Sequence, residues 1–295
     1  MTFRSGFVAV VGRPNVGKST LVNAMVGQKV AIVSDKPQTT RTAIRGVRTG
    51  PDHQVVFTDT PGFHKPRTPL GHRLNLRVGE AAADVDAVLL VVDGAAGVGR
   101  GDAFVAAREV AGRTAPKLCA VNKIDRVRHH DLVPQLAAAA ELTSFDHVVP
   151  VSARTGQGLP ELLDAIVASM PEGDPLYPGD QVTDQPLELR AAEIIREKAL
   201  AVTSDEVPHS IAVQVEEIDR DETRGLTTVS AILHIERDSQ KGIVIGKGGQ
   251  MLKDIGTRAR TELEALFGGR VYLDVRVKVL KDWQRDPSAL DRLGL

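Results

Sequence analysis

A single cysteine, Cys119, leaves no partner for an internal disulfide. It stands in the apolar run Leu118-Cys119-Ala120-Val121, a setting that suits a buried strand residue. Aromatic residues make up only 3% of the chain, so recognition of bases or ring ligands has few stacking platforms to use. Apolar runs are short, as in Ala87-Val88-Leu89-Leu90-Val91-Val92, whereas a membrane-spanning helix needs about 20 apolar residues. The N-terminal residues show no signal-peptide pattern, and there is no terminal lipidation signal. These absences predict a cytoplasmic protein. Net charge is nearly absent too, at -1, but it hides an asymmetry. Residues 190–236 hold 5 basic and 10 acidic side chains, while residues 237–285 hold 11 basic and 6 acidic. A near-neutral chain can still carry one basic face, the usual electrostatic footprint of nucleic-acid binding.

What is present is the balance of a soluble globular protein, 42% hydrophobic and 25% charged, in a chain long enough for two cores. Apolar runs at 7–11, 55–58, 87–92, 117–121 and 147–151 alternate with amphipathic stretches such as 19–26, 102–112 and 159–170. This alternation predicts an α/β domain, a mostly parallel sheet with helices on both faces, whose ligands bind at the carboxyl ends of the strands. After Met170 the run Pro171-Glu172-Gly173-Asp174-Pro175, then Pro178, Gly179 and Pro186, excludes a regular element. We therefore read residues 1–172 as one domain, 173–189 as a linker, and 190–295 as a smaller α+β domain with a C-terminal tail. The later part shows a helix pattern from about Leu187 to Val202 and alternating segments at 211–218 and 228–235. A glycine-rich turn at 246–249, a helix to about Phe267 and a strand over 271–280 follow. Alternation suits antiparallel strands with one solvated face.

Gly12-Arg13-Pro14-Asn15-Val16-Gly17-Lys18-Ser19-Thr20 follows the first apolar run and opens a helix pattern, which is the context of a phosphate-binding P-loop. Glycines let backbone N–H groups curl around phosphate oxygens, and the helix N-terminus adds a favourable dipole. Lys18 can reach the β- and γ-phosphates, and the Ser19 hydroxyl can ligate Mg²⁺. The base is addressed by Asn122-Lys123-Ile124-Asp125, just after the fourth run. A carboxylate at Asp125 can accept from the N1–H and N2 amino group of guanine, whereas adenine would leave it buried and unpaired. Asp59-Thr60-Pro61-Gly62 ends the second run, placing Asp59 to hold Mg²⁺ through water and the Gly62 N–H to sense a γ-phosphate. The next residue, Phe63, can neither donate nor accept, so it cannot orient an attacking water as the glutamine of many signalling GTPases does.

Ile243-Val244-Ile245-Gly246-Lys247-Gly248-Gly249 carries a Gly-x-x-Gly turn between two helix patterns, in the basic segment. Such a turn admits single-stranded RNA backbone, Lys247, Lys253, Arg258 and Arg260 can neutralise phosphates, and Ile243 and Ile245 offer apolar contact to bases. The alternative is a helix–turn–helix with no ligand.

Together these motifs resemble the Era family of bacterial ribosome-assembly GTPases, in which a single G domain precedes a type II KH domain. The tail from Lys278 to Asp286, with Trp283, resembles that family's ending as well. The resemblance implies a GTP-hydrolysing switch that binds small-subunit (16S) ribosomal RNA near its 3′ end and assists maturation of the 30S subunit, with GTP and GDP as nucleotides. It makes Ser152-Ala153 the loop whose backbone meets guanine O6. In Gln38-Thr39-Thr40-Arg41 it favours Thr40 over Thr39 as the Mg²⁺-coordinating threonine. It gives Asn15 a part in binding K⁺, although a loop-shaping hydrogen bond would equally suit an asparagine there. Peripheral association with the cytoplasmic face of the membrane, by a monomer, also belongs to this expectation. Two competing readings are a signalling or trafficking switch, disfavoured by Phe63 and the Gly-x-x-Gly module, and an RNA-binding protein with a degenerate G domain, disfavoured by the intact motifs.

Overall fold

The computed structural model describes residues 2–36, 39–63, 66 and 68–295; Gln38 of the threonine loop lies outside them. Contacts divide the chain into two compact units, one built mainly from residues up to Asp184 and one mainly from Gln185–Leu295.

The first unit runs β1 (Arg4–Val11), α1 (Lys18–Val26), β2 (Ile44–Thr49), β3 (His53–Asp59), α2 (Pro69–Ala81), β4 (Ala87–Asp93) and α3 (Arg100–Val105), which continues as a π-helical turn over Ala106–Val110. Then come β5 (Lys117–Asn122), α4 (His129–Ala140), β6 (His147–Pro150) and α5 (Leu159–Ser169). Among the described residues the sheet order is β2-β3-β1-β4-β5-β6, with β2 antiparallel to β3 and the other pairings parallel. A strand covered on both faces reads as a continuous apolar run, and all seven residues of β4 are buried. Successive residues divide between two cores: Val8, Val10, Leu89 and Val91 enter one cluster, Ala9, Val11, Leu90 and Val92 the other. Cys119 is fully buried in β5, and desolvation pushes its thiol up to about 12, which makes it an unreactive packing residue.

Among the described residues of the first unit, strand β2 and helices α2 and α4 are additional to the sequence expectation. Strand β2 has the sequence Ile-Arg-Gly-Val-Arg-Thr, too charged to register as an apolar run, because it is an edge strand with one solvated side. Helices α2 and α4 fall in stretches that had not been assigned.

The segment expected to be a linker is divided. Its residues up to Asp184 belong to the first unit. The Val47 N–H donates to Val182 O at 2.9 Å, and Thr183 Oγ1 donates to Arg45 O at 2.7 Å. The fully buried Gln54 side chain donates to Tyr177 O at 2.9 Å and accepts from the N–H groups of Leu176 and Tyr177 at 2.6 and 2.8 Å. Proline and glycine do exclude regular structure here, yet the segment covers the open edge of β2, satisfying backbone groups that an uncovered edge would leave exposed.

The second unit runs α6 (Leu187–Val202), α7 (Val207–Ser210), β7 (Ala212–Asp221), β8 (Leu226–Ile235), α8 (Asp238–Ile245), α9 (Gln250–Phe267), β9 (Arg270–Val279) and α10 (Pro287–Arg292). Its sheet has the order β7-β8-β9. The pair β7–β8 is antiparallel with a register shift between Val215 and Glu217, while β8–β9 is parallel. Antiparallel pairing, expected from alternation, therefore holds for one of the two pairs. The apolar face of β8, Val229, Ala231, Leu233 and Ile235, packs in one core with Ala191, Ile195, Ile255 and Leu263 from α6 and α9. Trp283, for which the sequence offered no physical account, is fully buried, and its Nε1–H donates to Ser210 O at 2.9 Å. Its ring fills the fold while its one polar atom finds a carbonyl, as a buried indole requires.

Candidate functional site

In the first unit the loops at the carboxyl ends of β1, β3, β5 and β6 converge. Residues 12–17 join β1 to α1 with an unusual backbone: φ is +155° at Gly12, +64° at Asn15 and +98° at Gly17. A Cβ on Gly12 would stand 2.5 Å from Val91 O, and one on Gly17 2.4 Å from Asn122 Nδ2, so both positions require glycine. The asparagine at position 15 tolerates the left-handed conformation better than most residues would.

Asn122 ties three loops together. Its Nδ2 donates to Val16 O at 3.0 Å, and its Oδ1 accepts from the Ala153 N–H at 3.0 Å. Lys123 Nζ bridges Asn15 O and Asp93 Oδ2, each at 2.6 Å. Asp125 is oriented by the Ser152 hydroxyl, which donates to its Oδ1 at 2.7 Å. The Ser152 N–H goes to Gln157 O at 2.8 Å. Both N–H groups of the Ser152-Ala153 pair are thus engaged within the protein, and Ala153 would have to share or exchange its bond to meet a guanine oxygen.

Lys18 is buried and donates to the carbonyls of Gly12 and Arg13 at 3.1 and 3.0 Å. Desolvation lowers its pKa to about 8, although the nearby Asp59 carboxylate pulls the other way. Ser19 Oγ donates to Asp59 Oδ2 at 2.6 Å, Thr40 Oγ1 donates to the same oxygen at 3.2 Å, and the two hydroxyl oxygens are 3.0 Å apart. Asp59 Oδ1 is buried with no hydrogen-bond partner, and burial raises the carboxyl pKa against Lys18, Ser19 and Thr40. Two hydroxyls and a carboxylate 2.6–3.2 Å apart, beside an unsatisfied buried carboxylate oxygen, are the hard oxygen donors that suit Mg²⁺, with Asp59 expected to reach the ion through water. The hydroxyl of Thr39, the other threonine, donates to Lys36 O at 2.6 Å.

The Thr60 hydroxyl is buried and donates to Val10 O at 2.7 Å, so its side chain braces the loop. Pro61 is buried, and Thr20 lies in the first turn of α1. A Cβ on Gly62 would meet Pro14 Cα at 2.7 Å, so the two loops touch backbone to backbone. The Phe63 N–H donates to Gly12 O at 3.3 Å, and its ring is buried in the core beside Phe104, with centroids 5.6 Å apart. Two supporting residues were not foreseen. Asp102, 1% exposed, accepts from Arg13 Nε at 2.7 Å, and Asp93 holds Lys123. Acidic residues at the ends of β4 and the start of α3, facing cations of the P-loop and of the Asn-Lys-x-Asp motif, were the available signal.

In the second unit the Gly246–Gly249 turn joins α8 to α9, with φ of +74°, +61° and +78° at Gly246, Gly248 and Gly249. A Cβ on Gly246 would press on Met251, whereas those on Gly248 and Gly249 would stand in open space. Lys247, Lys253 and Arg258 are exposed, Ile243 is 51% exposed, and Ile245 is half-buried. Arg258 pairs with Asp254 at 3.0 Å. Beside the turn α9 and β9 bound a groove of about 470 Å³, whose walls include Lys253, Gly256, Arg260 and Tyr272. Gly256 and Tyr272 were not foreseen. A glycine inside an 18-residue helix is costly, and here a Cβ would project from the helix with nothing within 4 Å. Tyr272 is 60% exposed, an aromatic face in a chain with few of them.

A family profile described as "50S ribosome-binding GTPase" matches residues 7–123, and one described as "KH domain" matches residues 206–284. GTPase Era of Mycobacterium tuberculosis is 50% identical over 296 residues, with 99% of each chain covered. The chain belongs to the Era family of GTPases. GTPase Era of Mycolicibacterium smegmatis shows the same identity and coverage. Among solved structures, Era in complex with MgGDPNP and nucleotides 1506–1542 of 16S ribosomal RNA superposes with a TM-score of 0.96 at 39% identity, covering 99% of both chains. An Aquifex aeolicus Era variant bound to GDP·AlF4⁻ gives 0.95 at 38% identity, again over 99% of both. Membership accounts for the order of motifs in the two units: the P-loop, guanine and Gly-x-x-Gly elements occur in one Era-family GTPase. Among the described residues no helix is long and apolar enough to cross a membrane.

Proposed function

We propose that this Era-family GTPase hydrolyses GTP with Mg²⁺ and uses its nucleotide state to control binding of the 3′ end of 16S ribosomal RNA during small-subunit assembly. The observation that carries this reading is the open Gly246–Gly249 turn and its cationic groove in the same chain as the Ser19–Thr40–Asp59 oxygen cluster. An Era has been solved with both MgGDPNP and that RNA segment, which supports the same pairing here.

In hydrolysis a water oxygen bonds to the γ-phosphorus, the bond to the GDP oxygen breaks, and phosphate leaves. Ser19 and Thr40, with Asp59 through water, would hold Mg²⁺, which would supply charge neutralisation at the phosphates. The P-loop N–H groups and Lys18 bind and orient the phosphates, exchanging the lysine's carbonyl partners for phosphate oxygens. Gly62 presents its N–H to the γ-phosphate, and Asp125 selects guanine. Phe63 excludes water from the loop and holds no proton, so it cannot act as the water-orienting group. We assign that deficit to K⁺ held near Asn15. Hydrolysis should then be faster in K⁺ than in Na⁺ at equal ionic strength, and Asn15→Ala should erase the difference; identical rates in both salts would remove K⁺ from the scheme.

In the RNA site Lys247, Lys253 and Arg258 face phosphates, and Ile243, Ile245 and the backbone of Gly246, Gly248 and Gly249 face the chain of the RNA. The test is the double variant Lys247→Asp with Gly248→Asp, measured for affinity to a 3′-terminal 16S RNA segment and to GTP. RNA affinity should collapse while GTP affinity is unchanged. Undiminished RNA binding would overturn the assignment. The cellular setting supported by the family resemblance alone is a cytoplasmic monomer with peripheral membrane association, checked by sedimentation and by co-flotation with anionic vesicles.

A further inference from the structure

One cavity of the first unit lies outside the phosphate, metal and guanine contacts and shares only Phe63 with the nucleotide loops. It lies between α2 and α3, has a volume of about 530 Å³, and is walled by Phe63, Pro66, His72, Leu76, Phe104 and Arg108. Its lining is overwhelmingly apolar, unlike the nucleotide loops. Two of its walls are large hydrophobic side chains left in solvent: Leu76 is 64% exposed and Phe104 55%. Singly exposed hydrophobics need no explanation, but two facing one cavity beside a buried aromatic mark an interaction site.

The rows that flank the cavity have helical spacing. Arg100, Phe104 and Arg108 recur every fourth residue along α3 and its π turn, and His72 and Leu76 do so on α2. The π turn itself, at Ala106–Val110, is a feature that concentrates at functional sites. Among the described residues of α3 the charge presented to solvent is basic. The acids of α3 point inward: Asp102 is 1% exposed against Arg13, and Glu109 is 4% exposed against Arg108 and Arg113. Arg108 keeps 58% of its side chain exposed while its guanidinium lies 4.9 Å from the Phe63 ring centre. Arg100 is exposed. Glu80, one turn beyond Leu76, lies on the wall of a different cavity.

We propose that the α2–α3 groove docks an acidic amphipathic helix of a partner protein. The helix would seat two apolar side chains, three or four residues apart, against Phe63, Leu76 and Phe104, and set carboxylates against Arg100 and Arg108. The volume admits two such side chains, and helix-in-groove recognition uses that spacing. Charge complementarity selects the acidic partner over a basic one, and the apolar lining selects protein over RNA. This inference stands apart from the RNA reading of the second unit.

The test uses the full chain loaded with GDPNP and a phage-displayed library of helical peptides about four turns long. Enriched sequences should be acidic with apolar pairs at three- or four-residue spacing. Affinity of an enriched peptide, read by fluorescence anisotropy, should fall about tenfold or more in both Phe104→Glu and Leu76→Glu. It should be unchanged in Val133→Glu, a similarly exposed site on α4. GTP hydrolysis should be the same in all three variants, which shows that they fold. No enrichment, a basic or neutral consensus, or peptide affinity retained in both groove variants would overturn the proposal. So would a 16S RNA segment losing affinity in Phe104→Glu, since that would assign the face to nucleic acid.

Discussion

In the first unit Lys18, Asp59 and Asn122 are buried and bonded to neighbouring loops, while Asp125, which the base-reading expectation would have buried, is exposed and held by Ser152; in the second, the glycine turn and its cations stand in solvent. Asn122 is 2% exposed and joins three loops, Asp59 is fully buried, and Asp125 is held by Ser152. Lys247 and Lys253, by contrast, are exposed, and the Cβ positions of Gly248 and Gly249 are open. The difference predicts two kinds of recognition. A site made of buried polar groups rejects a wrong ligand sharply, because each mismatch leaves a desolvated group unpaired. An exposed cationic turn gains affinity contact by contact, and salt weakens it.

The largest effect is expected at Asp125, which is exposed here and loses solvent only when a base covers it. Replacing the carboxylate with an amide, Asp125→Asn, presents a donor to the guanine donors while leaving size and the Ser152 contact nearly the same. GTP affinity should fall by roughly 10⁴, with xanthine nucleotides gaining, and RNA affinity should hold. Equilibrium binding of GTP and XTP to wild type and variant decides it; equal GTP affinity would show that Asp125 does not read the base.

A smaller effect separates packing from recognition inside the second unit, where the aromatics Trp283 and Tyr272 have opposite settings. Trp283→Ala removes a fully buried ring and strands the Ser210 carbonyl, so the unit should lose about 3–5 kcal/mol. Hydrogen exchange at the amides of β8 measures that loss directly. Tyr272→Ala should change stability by less than about 0.5 kcal/mol, since the side chain is 60% exposed. If Tyr272 stacks on RNA it should instead weaken that affinity by about 1–3 kcal/mol. A destabilising Tyr272→Ala with normal RNA affinity would reverse the assignment.

The same contrast explains what the sequence made legible. The P-loop, Asp-Thr-Pro-Gly and Asn-Lys-x-Asp motifs could be placed because phosphate, metal and guanine chemistry demand those residue types in a fixed order around a sheet edge. Strands β1 and β4 were visible because burial on both faces makes them continuously apolar. Strand β2 was invisible for the reason it exists, as an edge whose charged side faces solvent and whose backbone is met by Val182 and Thr183. That covering depends on Gln54, a polar side chain buried to serve three backbone groups more than 120 residues away, and no local pattern announces such a partner. Asp102 and Asp93 were missed likewise, being acids whose meaning is the cation they face across the fold. Gly256 was missed because a lone mid-helix glycine acquires significance only when β9 is set opposite it.

The smallest expected effect is the uptake or release of a single proton on nucleotide binding, and it sharpens what burial means at the nucleotide site. Burial lowers the Lys18 amine to about 8 from 10.5, and the phosphates of a bound nucleotide favour its charged form. Below about pH 8 the amine is already charged, and GTP binding needs no proton from this group. Between about pH 8 and pH 10.5 it is neutral in the free protein, so binding must draw in a proton, and affinity falls as pH rises through about 8. Asp59 supplies the opposite sign. Burial raises its carboxyl pKa, so on the acid side binding of Mg²⁺ with the nucleotide expels a proton that the free protein holds. Titration calorimetry in pairs of buffers with different ionisation enthalpies separates the two. Proton uptake approaching one per nucleotide is expected near about pH 9, and release is expected as pH falls toward the raised carboxyl pKa. A linkage of the same sign at both ends would mean that the Lys18–Asp59 pair is not the ionising centre of the site.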